Sequence, residues 1–364
     1  MRQRIDIGVL YARSGSYRLV SEACYLGTMR AIADVNADAN SPIELNPIER
    51  DPQGNIDRYA PLCDDIFRTS GARHVVGAVT SWSRKEVIPI LERMGGTLWY
   101  ACPYEGFEAN EHVVYMHACP NQQLVPLLGH VIPRFGNNGF LLGSNYIWGW
   151  ETNRVARDLI ADAGGKVFGE RYLPIGETDV SRLVDEIRAT RPNFVLNNLI
   201  GTSSYAFLAA YAELAKGDAY FAPERCPVLS CNLTECELPA IGEAGRGHLS
   251  AGPYFACKSG QPASSFEASA YASVQVLASL LANNPSATFA DLPIAFDGAT
   301  YETPLGRISI DASTQHATLP VVIGRIGDGR FETVERIEAV APDPYLSRYD
   351  RASVFGRPRL KVVS

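Results

Sequence analysis

Strand-like and helix-like stretches alternate along this chain from its first residues to about Leu281, and no other feature limits its fold as tightly. Residues 4–11 read as a strand, the polar loop Arg13-Ser14-Gly15-Ser16 follows, and an apolar-periodic helix runs to about Asn36. Residues 43–50 are a second strand, ended by the turn Asp51-Pro52-Gln53-Gly54, whose Pro and Gly supply the dihedrals. The pattern then predicts a helix over 57–68, its start confined or bent by Pro61. A strand over 75–79 leads to a helix with Ser81 at the N-cap and Val87, Ile88, Ile90 and Leu91 in one stripe. Strands over 97–101 and 112–119 close the block. From Pro120 it restarts, with helices over 124–135 and 153–163, one capped by Thr178 or Asp179 and ending at Thr190, and one from 201–204 to Lys216. Strands over 139–142, 166–173, 193–199, 228–231 and 249–254 and a long helix over 266–281 complete it. The last stretch holds turns and short strands at 306–310, 321–326 and 331–337. Alternating β and α predicts the α/β class, with two doubly wound parallel-sheet lobes covered by helices on both faces.

Composition narrows the function. The chain has 364 residues, 46% hydrophobic and 20% charged, enough for two domains with real cores. A net charge of −7 argues against direct nucleic-acid binding, which needs a concentrated positive surface. No apolar run approaches the roughly 18 residues of a membrane span. Met1-Arg2-Gln3-Arg4 leads straight into the first strand, without the apolar core of a secretory signal. The expectation is a cytoplasmic chain, or a periplasmic one if a signal peptide has been removed. The eight cysteines (24, 63, 102, 119, 226, 231, 236 and 257) are scattered with no C-x-x-C pair, which reads as reduced structural thiols. His112, His117 and Cys119 are close in sequence, but strand alternation sends them to different faces. Neither a metal nor a cofactor is expected.

Ligands of such sheets sit beyond the carboxyl ends of the strands, here the loops at 12–17, 80–83, 101–105, 144–150 and 201–204. The Gly-rich nucleotide fingerprint and the P-loop lysine are absent from them. Ser81 offers a hydroxyl beside free helix N–H groups; for an isolated serine simple capping is the plainer reading, and company at other strand ends raises the functional one. All four tryptophans (82, 99, 148 and 150) lie in or beside these strand ends, with Tyr100, Tyr104 and Tyr146. A Trp/Tyr-walled cleft with few polar groups suits a small, partly apolar, neutral ligand. Enzyme signals are weak: no Gly-x-Ser-x-Gly or His-Glu-x-x-His occurs, Cys102 has no evident histidine, and Glu105 with Glu108 reads as solvated loop.

The run Trp99-Tyr100-Ala101-Cys102-Pro103-Tyr104-Glu105-Gly106-Phe107-Glu108, then Pro120-Asn121-Gln122, Gly143-Ser144-Asn145-Tyr146-Ile147 and Gly201-Thr202, resembles the type I periplasmic-binding-protein fold. More narrowly, it is similar to the AmiC-like amide sensors that negatively regulate amidase operons, and to urea and short-chain-amide binding proteins. The resemblance implies two lobes joined by three crossovers, one made of residues 1–120 plus 251–318 and the other of 121–250 plus 319–364, with the ligand between. It implies that Ser81 and Tyr100 hold an amide with Tyr146 from the other lobe. Val79, Cys102 and Trp148 stand where the family has hydroxyl-bearing or tyrosine side chains, and Pro103 and Thr202 complete the expected site. With no acid at the matched positions, a neutral amide-like ligand is expected. The implied function is a non-catalytic sensor whose closure releases an RNA-binding antiterminator partner. The alternative is the solute receptor of an ABC transporter for urea, amides or amino-acid-like solutes. Homo-oligomerisation is left open.

Overall fold

A computed structural model describes residues 2–256 and 260–356. Its first sheet is parallel throughout, in the order β2-β1-β3-β4-β5. These strands are β1 (Gln3–Leu10), β2 (Ile43–Arg50), β3 (His74–Gly77), β4 (Thr97–Tyr100) and β5 (Val113–Tyr115). Between them run α1 (Arg18–Ala37), α2 (Tyr59–Thr69) and α3 (Ser81–Met94). After α4 (Leu124–Phe135) the second sheet is built from β6 (Gly139–Ser144), β7 (Val167–Leu173), β8 (Phe194–Asn198), β9 (Val228–Ser230) and β10 (Leu249–Gly252). Its helices are α5 (Ile147–Asp162), α6 (Ser181–Thr190), α7 (Thr202–Gly217) and the short α8 (Leu238–Ile241). The chain then returns to the first lobe with α9 (Ser265–Asn283), α10 (Leu292–Phe296) and the hairpin β11 (Tyr301–Thr303) and β12 (Gly306–Ile308). Finally β13 (Leu319–Ile326) and β14 (Phe331–Val340) join the second sheet antiparallel, in the order β14-β13-β10-β9-β8-β6-β7, before α11 (Arg351–Phe355).

The period of two in each strand sorts side chains into layers. On β6, Phe140 and Leu142 pack into a core with α6 and α7, whereas Leu141 packs with α4 and α5. Val195 and its neighbours Phe194 and Leu196 divide the same way on β8. Each face is therefore apolar, and a sheet apolar on both faces requires helices on both. The first lobe has its own continuous core, to which α9 contributes Ala268, Ala272 and Val276. There α9 lies so close to α1 that a Cβ on Gly27 would meet the Glu267 carbonyl oxygen at 2.2 Å.

Three links join the lobes: Tyr115 to Leu124, Gly252 to Ser265, and Ile308 to Leu319. Their side chains pin one another. Gln122 Nε2 donates to the carbonyls of Ala317 and Val340, both at 2.9 Å, and His316 stacks on Tyr115 at 4.1 Å. Pro120-Asn121-Gln122, part of the expected motif, is thus hinge structure.

Several local expectations shift. The strand over 112–119 shrinks to Val113–Tyr115, and the one over 249–254 ends at Gly252. The division expected between residues 250 and 251 falls inside β10 of the second sheet. The helix expected from 153 begins at Ile147, which puts Trp148 and Trp150 on its first turn. Thr80, not Ser81, is the N-cap of α3, with extended dihedrals and a reciprocal bond to Ser83. Cys24, Cys63, Cys102, Cys119, Cys226, Cys231 and Cys236 are free thiols, while Cys257 lies outside the described residues. Among the described residues no His, Cys, Asp or Glu cluster is arranged to hold a metal ion, and no helix is long and apolar enough to cross a membrane.

Candidate functional site

Three helices begin where the lobes face each other, because β3, β6 and β8 each end at a tight turn into the next helix. Their caps are Thr80, Tyr146 and Gly201. A helix start leaves several N–H groups without intrahelical partners, so this end of the sheets is rich in donors. Between the caps lies a cavity of about 40 Å³. The first lobe lines it with Tyr17, Val79, Thr80, Ser81 and Pro103, and the second with Tyr146, Trp148, Ile200, Gly201, Asn232 and Glu237. Val20 and Phe266 add apolar wall. A wider groove of about 440 Å³, edged by Gly54, Trp82 and Ile175, shares Tyr17, Thr80 and Tyr146 with it.

The lobes meet closely. Trp82 packs on Tyr146 with ring centroids 5.3 Å apart, and the Arg154 guanidinium lies 4.5 Å from the Phe107 ring centre. A Cβ on Gly201 would stand 1.9 Å from the Ser16 carbonyl oxygen. This is the arrangement of a shut cleft.

Of the expected residues, Val79, Ser81, Pro103, Tyr146 and Trp148 line the cavity. Tyr100, Cys102 and Thr202 do not. The Tyr100 side chain is fully buried and donates to the Val79 carbonyl at 3.2 Å, so it shapes the loop behind Ser81. Cys102 Sγ is buried 3.7 Å from Cys24 Sγ, which leaves it no access to a substrate as a nucleophile. Thr202 is exposed on the first turn of α7, with its neighbour Gly201 on the wall instead. The aromatic wall is also narrower than expected. Trp99 is buried in the core and donates to His74 Nδ1 at 3.3 Å, Trp150 is exposed and donates to Asn145, and Tyr104 is bonded to His316.

Behind Ser81 lies a buried ionic network that the sequence suggested was solvated loop. The Ser81 hydroxyl donates to Glu105 Oε2. Glu105 pairs with Arg84 at 3.0 Å, and Arg84 pairs with Glu108 at 2.7 Å. Lys85 and the Tyr115 hydroxyl also reach Glu108, at 2.6 and 2.7 Å. Arg84 is wholly buried, its guanidinium 4.9 Å from the ring centres of both Tyr100 and Tyr104. Burial opposes the Glu108 charge, but Arg84, Lys85 and Tyr115 outweigh it and hold the carboxyl down at about 2. Tyr104-Glu105-Gly106, part of the run that carries the resemblance, therefore contacts Ser81 and the hinge residue His316 and does not line the cavity.

Among the described residues, two polar atoms of the cavity lining are buried without a hydrogen-bond partner: the Trp148 indole N–H, a donor, and Glu237 Oε2, an acceptor when its carboxyl is ionised. The other Glu237 oxygen accepts from the Tyr205 hydroxyl at 2.8 Å. Burial pushes this carboxyl up to about 7. Glu237 is an acid in the cavity lining that lies outside the positions matched by the resemblance. It comes from the 3-10 turn Glu235–Glu237, which packs on α1 of the opposite lobe, and no sequence motif marks it.

A model of the periplasmic binding protein domain matches residues 5–269 and 257–351. Among solved structures, a solute-binding protein of an ABC transporter from Rhodopseudomonas palustris, in complex with p-hydroxybenzoic acid, superposes with a TM-score of 0.83 at 20% identity, over 95% of this chain and 100% of that one. The branched-chain amino acid binding protein LivJ of Streptococcus pneumoniae, in complex with isoleucine, gives 0.76 at 14%, over 93% and 100%. A leucine-, isoleucine-, valine-, threonine- and alanine-binding protein from Brucella ovis, in a closed conformation, gives 0.78 at 15%, over 93% and 97%.

Proposed function

Because the chain belongs to the periplasmic binding protein domain family, we propose that it is the solute-binding component of an uptake system and clamps a small molecule between its lobes. One observation carries this reading: a cavity between the lobes lined by an orphaned buried donor, the Trp148 indole, and an orphaned buried carboxyl oxygen, Glu237 Oε2, which accepts when ionised. Leaving a buried polar atom unpaired costs about 1–3 kcal/mol, which a partner bound in the cavity restores. A ligand bearing one acceptor and at least one donor satisfies both atoms, and the apolar walls of Val20, Val79, Ile200 and Phe266 take its hydrocarbon part. Amides, urea-like solutes and amino-acid-like solutes all have that character. Since both lobes contribute, such a ligand binds the shut form better and shifts the opening equilibrium by that affinity difference.

The proteins to which this chain is similar are described as transport components, so the regulatory output and antiterminator partner expected from the amide-sensor resemblance gain no support from them. A receptor role also favours the periplasmic alternative, which fractionation of the native host would test. The direct test is a thermal-shift screen of the full chain against amides, ureas, amino acids and aromatic acids, since a ligand raises apparent stability by mass action. Hits should shrink the radius of gyration in X-ray scattering. Trp148→Phe, which keeps a ring and removes the N–H, should weaken a hit about tenfold. No stabilising ligand, or a ligand that changes neither the scattering nor its affinity for Trp148→Phe, removes the proposal.

A further inference from the structure

The ionic network behind Ser81 sets which kind of head group the cavity accepts. A serine hydroxyl has one proton and two lone pairs, and a carboxylate can only accept. In the bond between them the proton is therefore committed to Glu105, and Arg84 locks Glu105 from behind. Ser81, 2% exposed and part of the cavity lining, has only lone pairs left for a ligand. Glu237 Oε2 is an acceptor as well once its carboxyl is ionised, above about pH 7. We propose that Glu105 is a positioning residue for specificity: by holding the Ser81 proton it makes the cavity accept head groups that donate and reject carboxylates.

This rests on the cleft being the ligand site, and it goes further by naming the residue that sets the polarity. A neutral or cationic head with N–H or O–H groups pairs with Ser81 Oγ and Glu237 Oε2, while its acceptor, if it has one, takes the Trp148 indole. A carboxylate also satisfies Trp148, but its second oxygen meets lone pairs and the fixed negative charge of Glu105. Glu105→Gln reverses the arrangement. With Oε1 still accepting from Arg84, Nε2 donates to Ser81 Oγ, and the Ser81 proton turns toward the ligand.

The test uses three probes of one shape on the full chain at pH 8, where Glu237 is ionised: propionamide, its acceptor-only neutral analogue butanone, and propionate. Calorimetry or ligand-observed NMR on the wild type should rank propionamide at least about tenfold tighter than either of the others. In Glu105→Gln both ratios should fall to within about threefold. The ratio between the two neutral probes cannot be moved by the change in protein charge alone, so it reports Ser81 itself. Ser81→Ala leaves the Arg84 pairs and the Glu105 charge in place and should lower the propionamide-to-butanone ratio alone, which covers poor folding of the first variant. Propionate binding the wild type as well as propionamide does, the wild-type propionamide-to-butanone ratio surviving in both variants, or no binding of any probe would each overturn the proposal. A cleft-closing ligand found by the broad screen while these ratios fail leaves the binding role standing. The absence of any such ligand removes both.

Discussion

Burial leaves the Glu237 carboxyl reluctant to ionise, pushed up to about 7 from the ordinary 4.5. Between those values the folded chain holds a proton there that the unfolded chain has released. Stability from this group is therefore fully present below about pH 4.5 and is lost as pH rises through about 7. Glu237→Gln, which keeps the shape and the bond from Tyr205, should melt higher than the wild type at pH 8 by up to roughly 3 kcal/mol, with little difference at pH 4.5. Melting curves at the two pH values check this. Glu235, also pushed up to about 7 by burial, keeps its own share of the slope in the variant. Glu237 illustrates what a single sequence hides. Ser81, Tyr146 and Trp148 were legible as cavity residues because strand ends fix where ligands bind in such sheets. Glu237 lies in a short 3-10 turn after β9, and only the packing of that turn on the opposite lobe brings it to the site. Tyr100 and Cys102 failed for a related reason: both side chains point behind the loop carrying Ser81, toward Val79 and Cys24.

Among the elements, α3 and the α1–α9 pair make the firmest predictions. The run Thr80-Ser81-Trp82-Ser83 offers adjacent hydroxyls, any of which suits a cap in sequence. The backbone decides for Thr80, whose φ of −111° and ψ of 158° lie outside the helix. Thr80→Ala should lower stability by about 1 kcal/mol, as loss of a capping side chain generally does. The need for glycine at position 27 was invisible for the opposite reason, since a glycine inside a helix normally only weakens it. Here α9 crosses at backbone contact, and the missing Cβ is what lets Glu267 approach. Gly27→Ala should cost roughly 1–3 kcal/mol by forcing the two helices apart. Urea titrations of both variants, with unchanged slopes and lowered midpoints, are the check. The start of α5 was missed because Ile147-Trp148-Gly149-Trp150 has no polar face and contains a glycine. That glycine is required, as a Cβ on it would meet the Ser144 carbonyl oxygen at 2.3 Å.

At the scale of the whole molecule, alternation made two lobes legible, but not how nearly they touch. That distance decides function, because a ligand held from both sides senses the cleft only if the cleft can shut. The Gly201 position tests it. Its φ of +56° tolerates a side chain poorly, and any Cβ there would stand 1.9 Å from the Ser16 carbonyl oxygen on the facing lobe. The strain belongs to the turn and acts in every state, whereas the collision arises only when the lobes are shut. Gly201→Ala should therefore lower the melting temperature of the ligand-free chain modestly, through the turn alone. Its larger effect should be on closure, with ligand affinity reduced about tenfold or more and the ligand-induced fall in radius of gyration abolished. Scattering with and without ligand separates the two, since strain alone leaves the contraction intact. A variant that still contracts like the wild type would mean that the two lobes can shut without bringing Gly201 against Ser16, and the close approach at that edge would then not be part of the clamp.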